Sequence, residues 1–359
     1  MKRVLGPLLL ILLIIGVGAA IYFSANQQIA LRQVTTIHGL IGSEKEEFFL
    51  DPKVIAALRK GGLEVQVDKA GSRTIATTPD LAKYDFVFPS GVPAAAKIRQ
   101  DHKSAKAYDT FFTPIAVASW KPIADILVAN GMATKQNGYY TLDMQKYLEA
   151  VQTNKRWSDL SQNSQYNVNK SILMISTDVR KSNSAAMYLS LASFVANGNN
   201  VVQSDQDIQT VLPVVESLFL KQGFSEYSSE VPFEDYLSMG MGKSPMVIIY
   251  ESQFISRAAV PNGLSSDMVL IYPQPTIYSK HTLIALTAGG EKLGDLLLND
   301  PDLQRLAVEH GFRNTHMDIF QQVKKDRNLS LPDNLVDVVD PPSYEMLEKM
   351  IQQIESKYQ

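Results

Sequence analysis

Val34-Thr-Thr-Ile-His-Gly-Leu-Ile-Gly-Ser43 opens a pattern that occurs three times before residue 101. An extended run leads into a loop of small residues, and helical spacing follows. In the first unit Val34 to His38 reads as a strand and Gly39 to Ser43 as its loop. Asp51-Pro52 then starts a helix, because Asp accepts from the free amides of a first turn and Pro lacks an N–H that this turn does not need. That helix carries Val54, Ile55 and Leu58 and stops at Gly61-Gly62. In the second unit Leu63-Glu-Val-Gln-Val-Asp68 alternates strictly, as a strand does, and Ala70-Gly-Ser-Arg-Thr74 follows as the loop. In the third, Tyr84-Asp-Phe-Val-Phe88 ends in Pro89-Ser-Gly91 ahead of a helix from Val92 to Gln100. Three such units predict an α/β fold with parallel strands and right-handed crossovers. Ligands in these sheets sit at the carboxyl ends of the strands. Those ends here hold Gly42-Ser43, Gly71-Ser72 and Ser90-Gly91.

A second informative stretch is Ile172 to Val195. Ile172-Leu-Met-Ile175 predicts a short buried strand, and a polar turn leads to Ser182-Asn-Ser184. A helix follows with Met187, Leu191 and Phe194 or Val195 along one side. Ser and Asn at a helix start satisfy free amides, and those amides with the helix dipole also favour an anion. Between these stretches, Thr113 to Ser119 is extended, and the polar, aromatic segment from Thr134 to Tyr166 has one helix around Leu142 to Thr153. Further on, Asp205 to Gln222 predicts a long amphipathic helix interrupted by Pro213. Ser244 to Tyr250 reads as a buried strand that runs into Glu251-Ser-Gln-Phe254. The strands Met268–Tyr272 and Thr282–Thr287, two helices, and an amphipathic last helix from Ser343 to Lys357 complete the chain.

With 359 residues, 45% hydrophobic and 20% charged, the chain has room for two lobes. A net charge of −3 gives no basic face, so nucleic acid is not an expected partner. The absence of Cys excludes disulfides, thiol nucleophiles and Cys-bound zinc. No nucleophile elbow, phosphate-binding loop or His-Glu-x-x-His is present, and the five His lack ligand spacing, so no enzyme activity, metal or cofactor is expected. Glu251, at a strand end, is the one acid placed for chemistry.

Met1-Lys-Arg3 precedes an uncharged run from Val4 to Phe23, a length that spans a bilayer as a helix. The positive flank keeps that end cytoplasmic and places the body outside. An uncleaved anchor over 1–25 with a linker over 26–33 is the expectation. Cleavage after Ala25 would put Phe23 where a small residue is preferred.

Taken in order, several of these segments resemble type II periplasmic or extracellular solute-binding proteins, in particular the branch with the molybdate and sulfate binders. They are the Gly42-Ser43 and Gly71-Ser72-Arg73 loops, Arg156-Trp-Ser-Asp-Leu160, Ser176 to Ser184, and Thr287-Ala-Gly-Gly-Glu-Lys-Leu-Gly294 ahead of Gly311-Phe-Arg313. The resemblance implies a two-lobed α/β fold with two hinge crossovers and a ligand cleft between the lobes. It places lobe 1 at 34–115 and 250–313, lobe 2 at 116–249, and the crossovers near Ala116–Trp120 and Val247–Tyr250. Residues 314–359 become a helical extension. Ser43, Ser72 and the adjoining Arg73 would meet ligand from lobe 1, and Ser182, Asn183 and Ser184 from lobe 2, with Tyr250 and Glu251 at the returning crossover. The implied function is to hold a small polar solute, an oxyanion in the first instance, for transport or sensing. The implied partners are the cytoplasmic membrane and an ABC permease or another envelope protein. The alternative is an interaction module of an envelope complex that keeps the fold without a transport ligand.

Overall fold

Three parallel strands open the first sheet near the places their pattern predicts, the first of them running on through Ile41 into the expected loop. The computed structural model describes residues 15–18, 34–223 and 225–358. The expected membrane segment and linker otherwise lie outside the described residues. Among the described residues no helix is long and apolar enough to cross a membrane.

β1 (Thr35–Ile41) pairs in parallel with β2 (Leu63–Lys69) on one edge and with β3 (Phe86–Phe88) on the other. α1 (Glu46–Leu50) and α2 (Pro52–Lys60) connect β1 to β2, and Asp51 caps α2 by accepting from Lys53 N at 2.7 Å. α3 (Ser72–Thr77) and α4 (Val92–Asp101) follow β2 and β3. Alternation along β1 sends Ile37 and Ile41 into one core and Leu40 into the other, so helices cover both faces of the sheet.

β4 (Lys106–Trp120) joins the two halves of the molecule. Its first part, to Pro114, pairs with β9 (Thr276–Ala285). From Ile115 onward it has β7 (Met246–Tyr250) on one edge and β8 (Met268–Gln274) on the other. β8 in turn pairs with β6 (Tyr139–Asp143), which forms a hairpin with β5 (Ala133–Gln136). This pairing corrects two expectations. β8 lies among second-lobe strands, so 250–313 is not wholly first-lobe. Val247–Tyr250 stays alongside β4 in the second sheet, and sheet pairing returns to the first half between β8 and β9. The reason is that a buried strand needs backbone partners on both edges, and β7 supplies only one of those for β4.

The second half is built from α5 (Lys121–Ala129), α6 (Met144–Gln152), α7 (Asn183–Ala196), α8 (Asp205–Leu220) and α9 (Glu230–Met239). In α7, 11 of 14 residues are buried, so it is a central helix rather than the one-sided helix predicted. Ile172–Ile175 does not form the expected strand. Ile175 makes a single parallel bridge to Val247, and the chain then turns away. Gln222 Oε1 takes the Ser176 amide at 2.7 Å and Glu226 O takes that of Asp178 at 2.8 Å, which leaves no ladder to continue.

After β7 come α10 (Glu251–Ala258), β8 and β9, then α11 (Ala288–Asn299) and α12 (Pro301–Glu309), which pack on the first sheet. The C-terminal segment is part of the core. α13 (Met317–Asp326) buries Phe320 and Val323, and β10 (Val338–Val339) pairs with the start of β9. α14 (Tyr344–Glu355) buries Leu347, Met350, Ile351 and Ile354 in the second-lobe core.

Candidate functional site

The loops after β1, β2 and β3 meet the loop before α7, the segment 227–229 and the end of β7. Together they enclose a cavity of about 170 Å³ lined by Ser43, Glu44, Ser72, Ser90, Asn183 and Tyr250, among others. Its outward continuation, of about 120 Å³, shares Ser43, Glu44, Ser228 and Ser229. A larger hollow of about 580 Å³ lies beside β5, β6 and β10 and gathers none of these loops.

The two sides touch. Asn183 Nδ2 donates to Ser90 O at 3.1 Å and to Tyr250 OH at 3.0 Å. Ser43 and Ser228 bring their hydroxyls to 3.3 Å across the opening. A Cβ on Gly71 would fall on the carbonyl oxygen of Lys181, so this approach needs glycine. The lobes are closed upon one another.

Five of the residues predicted from sequence line this cavity: Ser43, Ser72, Ser182, Asn183 and Tyr250. Ser72 Oγ accepts from Ser90 N at 2.9 Å and so ties two of the loops together. Ser182 is the residue that starts α7, but its hydroxyl pairs with Ser184 Oγ at 2.9 Å instead of capping an amide.

Three predicted residues point elsewhere. Ser184 is buried, its hydroxyl shared between Ser182 and Thr177. Arg73 donates from Nε to Glu348 of α14 at 2.8 Å and from Nη1 to Arg180 O at 3.0 Å, which commits its guanidinium to the C-terminal helix. Glu251 is 0% exposed and paired with Arg313, itself 1% exposed, through Nε at 3.0 Å and Nη2 at 2.7 Å. Arg313 also donates to Asp333 O at 2.7 Å and Pro332 O at 2.9 Å. Glu251 is therefore an anchor of the C-terminal segment, both of its oxygens engaged by Arg313 and neither lining the cavity.

Sequence reading missed the charged floor of the cavity. Lys45 is 0% exposed. Its Nζ donates to the neighbouring carboxylate of Glu44, to Ser90 Oγ at 2.9 Å, and meets His281 Nδ1 at 3.1 Å. It also stands 4.9 Å from the Phe88 ring centre. Burial and the Lys45 charge push His281 well below its usual range, so the ring is neutral at pH 7 and accepts at Nδ1. Burial also lowers Lys45, and Glu44 opposes that shift. For Glu44, burial raises the carboxyl, but Lys45 and the hydrogen bonds from Lys45 and Ser90 outweigh it and hold the group at about 2. The result is an ion pair at the inner wall of the cleft. Nothing local in the sequence signals it, since His281 is 236 positions from Lys45. Among the described residues no group of acids and histidines could hold a metal ion.

No family model matches this chain, and no curated protein matches it in sequence. Solved structures do. The sulfate-binding protein SubI from Mycobacterium tuberculosis H37Rv is 14% identical, with a TM-score of 0.54 over 88% of this chain and 96% of its own. Iron-bound HitA from Pseudomonas aeruginosa is 9% identical, with a TM-score of 0.56 over 89% and 99%. An ABC transporter solute-binding protein from Thermotoga lettingae TMO, bound with alpha-D-tagatose, is 12% identical, with a TM-score of 0.56 over 89% and 93%. One fold at this distance holds an anion, a metal ion and a sugar. What this chain shares with these structures is the mixed α/β fold of the periplasmic binding proteins.

Proposed function

We propose that this chain is an extracytoplasmic solute-binding protein that holds a small polar solute between its lobes for transport or sensing. The observation that carries this reading is convergence. Three strand-end loops of one lobe and the α7 loop of the other meet on a single polar cavity. A volume of about 170 Å³ is below the roughly 300 Å³ at which drug-sized ligand sites begin, which suits a solute of few heavy atoms. The fold shared with binding proteins for sulfate, iron and tagatose supports the same use of the cleft. Attachment to the membrane through residues 1–25 and delivery to an ABC permease belong to this proposal.

The test is thermal unfolding of ligand-free protein against oxyanions, sugars, amino acids and small amines. A true ligand at one hundred times its Kd stabilises by about 2.7 kcal/mol. The shift should shrink in Asn183→Ala, which removes the side chain that spans the cleft. A panel without any shift, from protein verified free of ligand, would refute the proposal.

A further inference from the structure

The cleft of this protein already contains an anion of its own. Glu44 lines both the inner cavity and its outward continuation, and its side chain is only 6% exposed. Oε1 receives Lys45 Nζ and Ser90 Oγ, the two donors that a bound oxyanion would be expected to use on this wall. Oε2 accepts no hydrogen bond among the described residues, yet it belongs to a side chain that faces the cavity. Gly42 makes room for this arrangement, since a Cβ there would strike both Ser90 Oγ and the Glu44 carboxylate.

Acidic side chains outnumber basic ones around the outer part. Glu46, Glu47, Glu230 and Glu234 line the outer part. Of the nearby cations, Lys45 is spent on Glu44 and Lys69 is bonded to Glu46 at 2.6 Å, while Arg257 bonds only the carbonyl of Gly263 at 3.2 Å and Lys181 stands 5.0 Å from the Tyr227 ring centre, both keeping their charge. His310 is paired with Asp51 at 2.9 Å. Ser252 Oγ, buried beside this outer part, has no partner among the described residues. Oε2 is open to the cavity, and a cationic donor there gives a carboxylate its strongest hydrogen bond.

We infer that Glu44 sets the ligand class of the cleft: its carboxylate fills the anion seat on Lys45 and Ser90, so the site takes a small solute with a protonated amine and rejects oxyanions. This inference rests on the solute-binding reading above and replaces the oxyanion with its opposite in charge.

The experiment measures binding of methylamine, ethanolamine, putrescine, glycerol, sulfate and molybdate by calorimetry and thermal shift. It compares the wild-type chain, Glu44→Gln and Asn183→Ala. Gln keeps the shape and an acceptor for Lys45 but removes the charge. The expected result is an amine that binds wild type and weakens about 10- to 100-fold in Glu44→Gln, with no sulfate or molybdate binding to wild type. An oxyanion or glycerol that binds wild type, responds to Asn183→Ala and is no tighter or weaker in Glu44→Gln overturns this inference and leaves the cleft reading standing. Binding that ignores Asn183→Ala, or no binding at all, overturns both. Should Glu44→Gln not fold, wild type still decides: an oxyanion that displaces every amine overturns the inference.

Discussion

The Glu251–Arg313 pair gives the sharpest separation between a ligand contact and a structural anchor. Both side chains are fully buried, and Arg313 additionally bonds two carbonyls and stands 4.2 Å from the Phe320 ring centre. Glu251→Ala leaves the guanidinium charge with carbonyl partners only. Removing one member of a buried pair costs about 3–5 kcal/mol, because the other charge is stranded. Arg313→Met strands Glu251 and also frees the carbonyls of Pro332 and Asp333, each worth about 1–3 kcal/mol when buried without a donor. The double variant Glu251→Ala/Arg313→Met has no stranded charge. It should therefore be less destabilised than the two single losses combined, with a coupling of about 3 kcal/mol. Equilibrium urea unfolding, followed by circular dichroism, reads all of these values. Solute affinity should be unchanged in Glu251→Gln, since this carboxylate lines neither part of the cleft. Additive losses, a cost below about 1 kcal/mol for Glu251→Ala, or loss of binding in a stable Glu251→Gln would refute the argument.

Three further outcomes follow from the geometry. Asn183→Ala removes the hydrogen bond to Ser90 that crosses between the lobes, and with it the bond to Tyr250 that holds the amide in place. It should cost about 1–3 kcal/mol of closure and enlarge the radius of gyration in small-angle scattering. Gly71→Val places a side chain on the Lys181 carbonyl, so it should hold the cleft open and weaken ligand binding while each lobe stays folded by circular dichroism. Glu44 is held at about 2, below its ordinary 4.5, so the folded state binds this proton less tightly than the unfolded chain does. Its stabilising contribution is present above pH 4.5 and is lost as the pH falls from there toward 2. Urea midpoints measured between pH 5 and pH 3 should fall less steeply in Glu44→Gln than in wild type, and equal slopes would argue against the pair.

Much of the frame was legible because its signals are local. Asp51-Pro52 marks a helix start through groups within one turn, and the structure has that cap. The alternation of Leu63 to Asp68 marks a strand in the same way. The β5–β6 hairpin went unread, although Asn137-Gly138 carries its signal: both residues have positive φ, 49° and 85°, as a tight hairpin turn demands. Ile172–Ile175 misled because apolar content signals burial, and burial is compatible with a single bridge as well as with a ladder.

What the sequence determined by itself about this protein is the set of parallel strand–loop–helix units and the small polar residues at their ends. Each depends on neighbours a few positions away. What only the tertiary structure decided is the charge of the cleft and the use of its arginines. Lys45 meets Ser90 and His281, Arg73 meets Glu348, and Arg313 meets Glu251 across separations of 45 to 275 residues. A long side chain reaches in any direction its rotamers allow, so its partner is set by packing. Glu44 and Lys45 read in isolation as an ordinary solvated pair; closure of two lobes over them makes a buried anion at the wall of the cleft.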